Sequence, residues 1–262
     1  MPSHCSRRSF VVGICGSLFP AIAVAQETPS NSHPVLVELF TAEGCSSCPP
    51  ADEFLGKLDS LQPIHGAQLI VLSEHVDYWD RLGWKDPNSS AAFTDRQTAY
   101  ERVFKKDAPY TPQIIVDGTS EAVLANLQQF QTILEHAATT PKIPIRIGEP
   151  TLSADKAGRL DVHIECDANP EKHDADVYVA VALNRVESEV LRGENKGRHL
   201  THVAVVQQLT KVGKLPKGQS FSRDVELKLK PETNPKGIRL IVFIQESGPG
   251  KVLGAALRKP TS

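Results

Sequence analysis

Two cysteines three positions apart, Cys45 and Cys48, are the residues of this 262-residue chain best suited to chemistry. They follow a short apolar run and stand directly before Pro49-Pro50, and proline is tolerated in the first turn of a helix. At a helix N-terminus the unpaired backbone N–H groups and the helix dipole favour a thiolate over a thiol. The spacing therefore predicts a redox-active dithiol, in which Cys45 is the exposed nucleophile and Cys48 is the thiol that closes the ring.

Two other interpretations of the cysteine pair remain open. Soft thiolates suit copper(I), with His75 as a third ligand, whereas a zinc site would need two more ligands than the pair supplies. Alternatively, the pair is a permanent disulfide in a binding module. Beyond the N-terminal region the only other cysteine is Cys166, and three cysteines cannot form a complete framework of structural disulfides. We favour the redox dithiol, and we predict no organic cofactor and no metal ligands.

Three further features can contribute to a site at the dithiol. Thr111-Pro112 stands just before a predicted strand, where the bond is either cis and packed against the dithiol or an ordinary trans bond. His75 ends the second predicted strand, where it can tune or deprotonate a thiol, or pack in the core with its polar atoms satisfied. The charged, glycine-punctuated loop 192–198 either lies in solvent or docks on the first half of the chain.

The elements that would position these residues alternate between strand and helix from Val35 to Ala138. Apolar runs of strand length, helical spacing of apolar residues and an asparagine cap set their limits. The first two strands should be parallel and joined by a right-handed crossover. The predicted strands are 35–40, 68–73, 113–116 and a weak 122–124, and the predicted helices begin at Pro49 and cover 89–104 and 127–138.

After Pro141 the pattern changes to a period of two, which is typical of half-buried strands. Short strands are predicted at 143–147, 160–165, 177–183, 203–209, 221–229 and 240–244, with no convincing helix. Many short strands in about 120 residues favour a β-sandwich. The predicted architecture is an α/β domain over residues 35–140, followed by an all-β sandwich domain over residues 141–262.

The N-terminus predicts export. Arg7-Arg8, an apolar stretch at 10–19 and the small residues Ala23-Val24-Ala25 form a secretory signal peptide over residues 1–25, of ordinary or twin-arginine type. Residues 26–34 are a polar linker. The predicted location is the periplasm or outside the cell, and no stable membrane insertion is expected after cleavage.

Charge excludes one class of partner. The formal net charge is −2 and no long basic run occurs. Phosphate backbones are bound by clustered Lys and Arg. Nucleic acid is therefore not an expected partner.

The order of Cys45-x-x-Cys48 and Thr111-Pro112 resembles the dithiol and cis-proline of the thioredoxin superfamily, over residues 35–138. The resemblance implies that Cys45 attacks a disulfide and that the Thr111 backbone helps to hold the bound chain. It also implies that Glu38 is a buried acid that passes a proton to the second cysteine, the alternative being a solvent-facing strand residue. These five residues are the predicted site.

Longer stretches resemble a bacterial family of secreted proteins, the domain of unknown function 1223; they are 40–52, 75–80, 83–87 and 192–202. That resemblance implies a thioredoxin-like fold with an added β domain and no established substrate. Gly44 and Ser46-Ser47 differ from the corresponding residues of thioredoxins and leave the direction of electron flow open. We expect an exported thiol–disulfide oxidoreductase that acts on protein thiols or disulfides and needs a redox partner.

Overall fold

The computed structural model describes residue 1 and residues 32–153, 158–231 and 233–259. Apart from Met1, these residues belong to one compact unit, Asn31–Ser262. The predicted signal peptide beyond Met1 lies outside the described residues, as does most of the predicted linker, although the first strand already begins at His33. No helix among the described residues is long and apolar enough to cross a membrane.

Twelve strands and three α-helices occur in the described part of the chain. The helices are α1 (Pro49–Leu61), α2 (Ala91–Phe104) and α3 (Leu127–Thr139). The strands are β1 (His33–Thr41), β2 (Ala67–His75), β3 (Gln113–Val116), β4 (Ser120–Ala122), β5 (Ile145–Ile147), β6 (Thr151–Leu152), β7 (Arg159–Cys166), β8 (Ala175–Glu189), β9 (His199–Leu215), β10 (Phe221–Lys228), β11 (Ile238–Glu246) and β12 (Val252–Arg258).

Local signals explain the elements of the first half, and the predicted order is confirmed. Proline occupies the first turn of α1, as predicted. The Ser90 side chain caps α2, and the predicted Asn126 cap of α3 accepts a hydrogen bond from the Gln129 N–H. β1 and β2 pair in parallel, as their connection through α1 requires.

Strands from both halves of the chain form one eight-stranded sheet, in the order β12-β11-β8-β9-β2-β1-β3-β4. The halves meet where β2 pairs in parallel with β9, at Ser73 and Val205. The α/β class is therefore confirmed. The large sheet contains strands from both sides of the predicted domain boundary. The boundary itself, near residue 140, stays a prediction.

A smaller antiparallel sheet, β10-β7-β5 with β6 paired to β7, packs on the second-half strands of the large sheet. The alternating pattern that predicted these strands buries one face of each. The apolar layer between the two sheets includes Ile147, Leu160, Val162, Ile164, Val177, Val179, Val181, Leu227, Leu240, Val242 and Ile244.

β1 is buried on both faces, which explains its nearly continuous apolar sequence. Val35, Val37 and Leu39 pack with α1 and α3. On the opposite face, β1 and α2 pack against strands of the second half. That layer contains Leu36, Ile70, Leu72, Phe93, Ala180, Ala182, Val206, Ile241, Phe243, Val252 and Ala255.

Candidate functional site

The cysteine pair lies where β1 leads into α1. Cys45 and Cys48 form a disulfide, and Cys48 is the N-cap residue of α1. No side chain caps this helix N-terminus, so the helix dipole acts on the sulfur atoms without a competing cap. When the disulfide is reduced, this position favours a thiolate.

The predicted partners Thr111 and Pro112 are brought to the dithiol. The Thr111–Pro112 bond is cis. The Thr111 carbonyl oxygen lies 3.8 Å from Cys45 Sγ and accepts a 3.4 Å hydrogen bond from the Ser47 hydroxyl. Trp79 Nε1 donates to Thr111 Oγ1 at 2.8 Å, which fixes the threonine side chain. Residues far apart in sequence thus meet around Cys45.

Cys45 is not the exposed residue that the sequence predicts. Its relative exposure is 0%, and only Ser46 and Ser47 of the turn are open to solvent. The Cys45 side chain packs in an apolar cluster with Phe40, Tyr100 and Ile115. The loop between β8 and β9, residues 190–198, which we call the cover loop, docks on the backbone of the same turn. Asn195 Nδ2 donates to the carbonyl oxygens of Glu43 and Cys45, both at 2.8 Å.

A second contact of the cover loop is made by a charged side chain. Glu194 Oε2 accepts a 3.1 Å hydrogen bond from the Ser46 N–H. Gly193 has φ +77, and a Cβ there would lie 3.3 Å from Trp84 Cβ, so glycine allows the close approach. Of the two interpretations of this loop, docking is therefore the correct one.

Beneath the dithiol lies a buried network of three carboxylates and two imidazoles: Glu43, Asp52, Asp86, His75 and His202. His75 Nδ1 lies 2.7 Å from Asp86 Oδ2, and the His75 and His202 rings meet edge to face at 4.7 Å. His202 Nδ1 lies 3.4 Å from Asp52 Oδ1. Within the described residues neither ring nitrogen of His202 makes a hydrogen bond.

The charges of this network shift two pKa values. Burial alone lowers the pKa of His75, but Asp86, Asp52 and Glu43 outweigh burial, and the net pKa is raised. Burial raises the pKa of Asp86, but His75 and two backbone N–H groups outweigh it, and the net pKa is lowered. His75 is therefore buried with Asp86 as its partner. For Nδ1 this agrees with the interpretation that His75 packs in the core with its polar atoms hydrogen-bonded. Its Nε2 has no hydrogen-bond partner in the described part of the chain.

We expect His75 to make stability fall as the solution becomes alkaline. A raised folded-state pKa stabilises the fold fully below the unfolded value of about 6.5, and this contribution is lost as pH rises through the folded pKa. His75→Gln should flatten the slope of unfolding free energy above about pH 6.5, measured by urea titration. His65→Gln, at an exposed position, is the control and should keep the wild-type slope. Parallel curves for wild type and His75→Gln would contradict this prediction.

Glu38 is fully buried, so the solvent-facing alternative is wrong. Its carboxylate lies on the α2 side of the sheet, where it accepts hydrogen bonds from Arg96 Nε at 2.7 Å and the Tyr100 hydroxyl at 2.6 Å. Tyr100 itself packs in the apolar cluster that contains Cys45 and Cys48. The structure thus gives both Glu38 oxygens a partner other than a cysteine, and the proton-transfer role stays a prediction.

The described residues contain no group of three or more His, Cys, Asp or Glu side chains arranged to hold a metal ion. Cys166 is buried, and burial raises the pKa of its thiol to about 12. That thiol is therefore a poor nucleophile at neutral pH.

Sequence reasoning missed four residues of the site: Asp52, Glu194, Asn195 and His202. Asp52 had a usable signal, because it follows Cys48 by four residues and lies on the same helix face. Glu194 and Asn195 lie in the charged loop 192–198, for which docking on the first half was one interpretation, whereas nothing in the sequence linked His202 to the dithiol.

Comparison with known proteins adds the following. A family model described as "Protein of unknown function (DUF1223)" matches residues 36–245. The chain is similar to a crystal structure of protein AGR_C_4864 from Agrobacterium tumefaciens, at 26% identity and a TM-score of 0.67, over 88% of this chain and 96% of that one. No curated protein matches the sequence.

Proposed function

Because the chain belongs to the DUF1223 family, whose description names no activity, we propose a function from the site itself: thiol–disulfide exchange on protein substrates through Cys45 and Cys48. The observation that carries the proposal is the cysteine pair at the uncapped N-terminus of α1, with the Thr111 carbonyl oxygen 3.8 Å from Cys45 Sγ. The helix supplies thiolate stabilisation, and Thr111 offers a backbone acceptor beside the reacting sulfur.

The exchange balances without a cofactor. In the reducing direction, the Cys45 thiolate attacks a substrate disulfide, a mixed disulfide forms, and one substrate sulfur leaves as a thiolate. The Cys48 thiolate then attacks Cys45 Sγ, which releases the second substrate sulfur and leaves the Cys45–Cys48 disulfide. Two electrons pass from the dithiol to the substrate. The oxidising direction is the reverse, and a redox partner regenerates the starting state.

The proposal includes a thioredoxin-like arrangement of the first half, with an added β-sandwich. It is supported by the order β1-α1-β2-α2-β3-β4-α3, by the parallel β1–β2 pair, and by the cis bond before β3. The N-terminal sequence resembles a signal peptide, which supports the proposal that the protein acts in the periplasm or outside the cell, where disulfides persist.

One observation favours a second candidate, a binding module whose disulfide is structural. Both cysteines have 0% exposure, and the cover loop lies over Cys45. A disulfide that exchanges must become accessible, whereas a structural one gains from being covered.

An equilibrium redox titration in glutathione and dithiothreitol buffers separates the two candidates. The full chain is titrated with Cys5, Cys15 and Cys166 replaced by serine, so that Cys45 and Cys48 are the thiols that are alkylated and counted by mass. A potential between about −270 and −120 mV is expected for an exchange protein. A potential below roughly −300 mV would identify a structural disulfide and reject the proposed activity.

A further inference from the structure

The cover loop places a negative charge on the turn that holds the dithiol. Glu194 is exposed, yet its carboxylate accepts a hydrogen bond from the Ser46 N–H at 3.1 Å. Hydrogen bonding by the side chain and the backbone of Ser46 lowers the pKa of Glu194. The carboxylate is therefore ionised at neutral pH. Ser46 directly follows Cys45, so the charge is held on the backbone next to the residue that would carry the thiolate.

Glu194 differs in this respect from the other ionisable groups near the turn. The Glu43 carboxylate accepts instead from Trp84 Nε1 and the Ser188 hydroxyl, at 2.7 and 2.6 Å. The remaining groups are Asp52, His75, Asp86 and His202, which are buried, and Arg192, Lys196 and Arg198, which are exposed on the cover loop. Among the described residues, Glu194 alone binds a backbone N–H between the two cysteines.

Asn195 holds the loop in this position. Its side chain is 1% exposed and bridges the Glu43 and Cys45 carbonyl oxygens. Both hydrogen bonds are made to the backbone of the turn, so the loop cannot leave without breaking them.

We infer that Glu194 and Asn195 set the resting reactivity of the dithiol: Asn195 keeps Cys45 covered, and the Glu194 carboxylate disfavours its thiolate until a bound protein displaces the cover loop. The inference rests on the proposed exchange function. Like charge near a titrating group disfavours its ionised form, so loop displacement both exposes Cys45 and removes a charge that opposes the Cys45 thiolate. The thiol proton passes to solvent, and the freed Ser46 N–H becomes a donor for an incoming group.

The first test measures the Cys45 thiol in the reduced full chain, by the pH dependence of alkylation with iodoacetamide. Glu194→Gln keeps size and removes charge, and it is expected to lower the thiol pKa by about 0.5–1 unit, which makes alkylation about three- to tenfold faster below that pKa. Glu189→Gln removes the same charge from an exposed position just before the loop and should have no effect. Equal pKa values in wild type and Glu194→Gln would overturn the role of Glu194.

The second test measures access. Asn195→Ala removes both bridging hydrogen bonds and is expected to raise the rate constant for reduction of the disulfide by a phosphine about fivefold or more. An unchanged rate in a folded Asn195→Ala protein would overturn the covering role.

The two proposals fail in different ways. A disulfide that resists reduction in every folded variant rejects the exchange function and this inference together. A disulfide that is reduced normally, with the wild-type thiol pKa in Glu194→Gln, rejects the role of Glu194 alone.

Discussion

Replacing Arg96 with methionine is expected to lower the free energy of unfolding by about 3–5 kcal/mol, because removing one partner of a buried ion pair leaves an uncompensated charge. The Arg96 side chain is 9% exposed, and its Nε and Nη2 lie 2.7 and 2.6 Å from Glu38 Oε1. Methionine retains an apolar stem of similar shape, so the decrease in the free energy of unfolding results mainly from the removal of the charge. Urea unfolding at neutral pH measures it.

The surroundings of Arg96 explain why the loss should be large. Glu74 is also fully buried, and its Oε1 lies 3.6 Å from Arg96 Nε. Burial raises the pKa of Glu74 well above its usual value, and the Arg96 guanidinium opposes this rise, so removing Arg96 leaves two buried acidic side chains without their cationic partner. The double variant Arg96→Met/Glu38→Gln should recover part of the stability, because it removes the stranded charge.

Arg146 provides the matched control for Arg96. It bonds to Glu165 and Asp167 at 2.9 and 2.8 Å, but its side chain is 59% exposed. Exposed ion pairs contribute about 0–1 kcal/mol, so Arg146→Met should cost little. Equal losses in the two arginine variants would show that burial of the charge is not the cause.

Replacing Cys48 with serine is expected to reduce turnover of a disulfide-bonded peptide by at least about 10³-fold, as the loss of a reacting nucleophile does in other enzymes. Cys45 can still attack, but nothing resolves the mixed disulfide, so the covalent adduct should accumulate and appear by mass. Activity is followed through the fluorescence change that accompanies reduction of the peptide's disulfide bond.

Cys166→Ser is the control for the Cys48 variant. The Cys166 thiol is buried and its pKa is raised to about 12, so it supplies almost no thiolate at neutral pH. Its loss should leave turnover unchanged. Full activity in Cys48→Ser, or adducts on Cys166 in place of Cys45, would disprove the assigned roles.

The first half of the chain was predictable because its signals are local. The predicted strand 113–116 coincides with β3, and the predicted Asn126 cap begins α3. Capping hydrogen bonds and period-two or helical spacing act within a few residues, and they hold whatever packs around them.

The second half was predictable only in part. Its alternating strands were found, but β12 was not, because Gly254, Ala255 and Ala256 have weak strand propensity and carry no alternating pattern. β12 is a strand because its neighbour β11 pairs with it. Tertiary context determines such a segment.

The chemistry at the site divides in the same way. The dithiol and Thr111-Pro112 were visible in the sequence because each is a short motif. The burial of Cys45 was not, because it depends on packing against residues of distant elements, such as Tyr100 and Ile115. Likewise, the sequence did not show that Arg96 lies beside Glu38.

The layer that packs α2 and β1 against second-half strands has a consequence for how the chain folds. Leu36, Ile70 and Phe93 bury their side chains against residues such as Ile241 and Val252, which are synthesised much later than they are. Contacts between such distant segments require the intervening chain to lose conformational entropy before the contacts form, and this slows folding. The first half therefore leaves an apolar face open to aggregation until the C-terminal strands arrive. The cover loop, residues 190–198, is also synthesised long after the dithiol, so a nascent chain contains Cys45 and Cys48 before it contains the loop that docks on their turn.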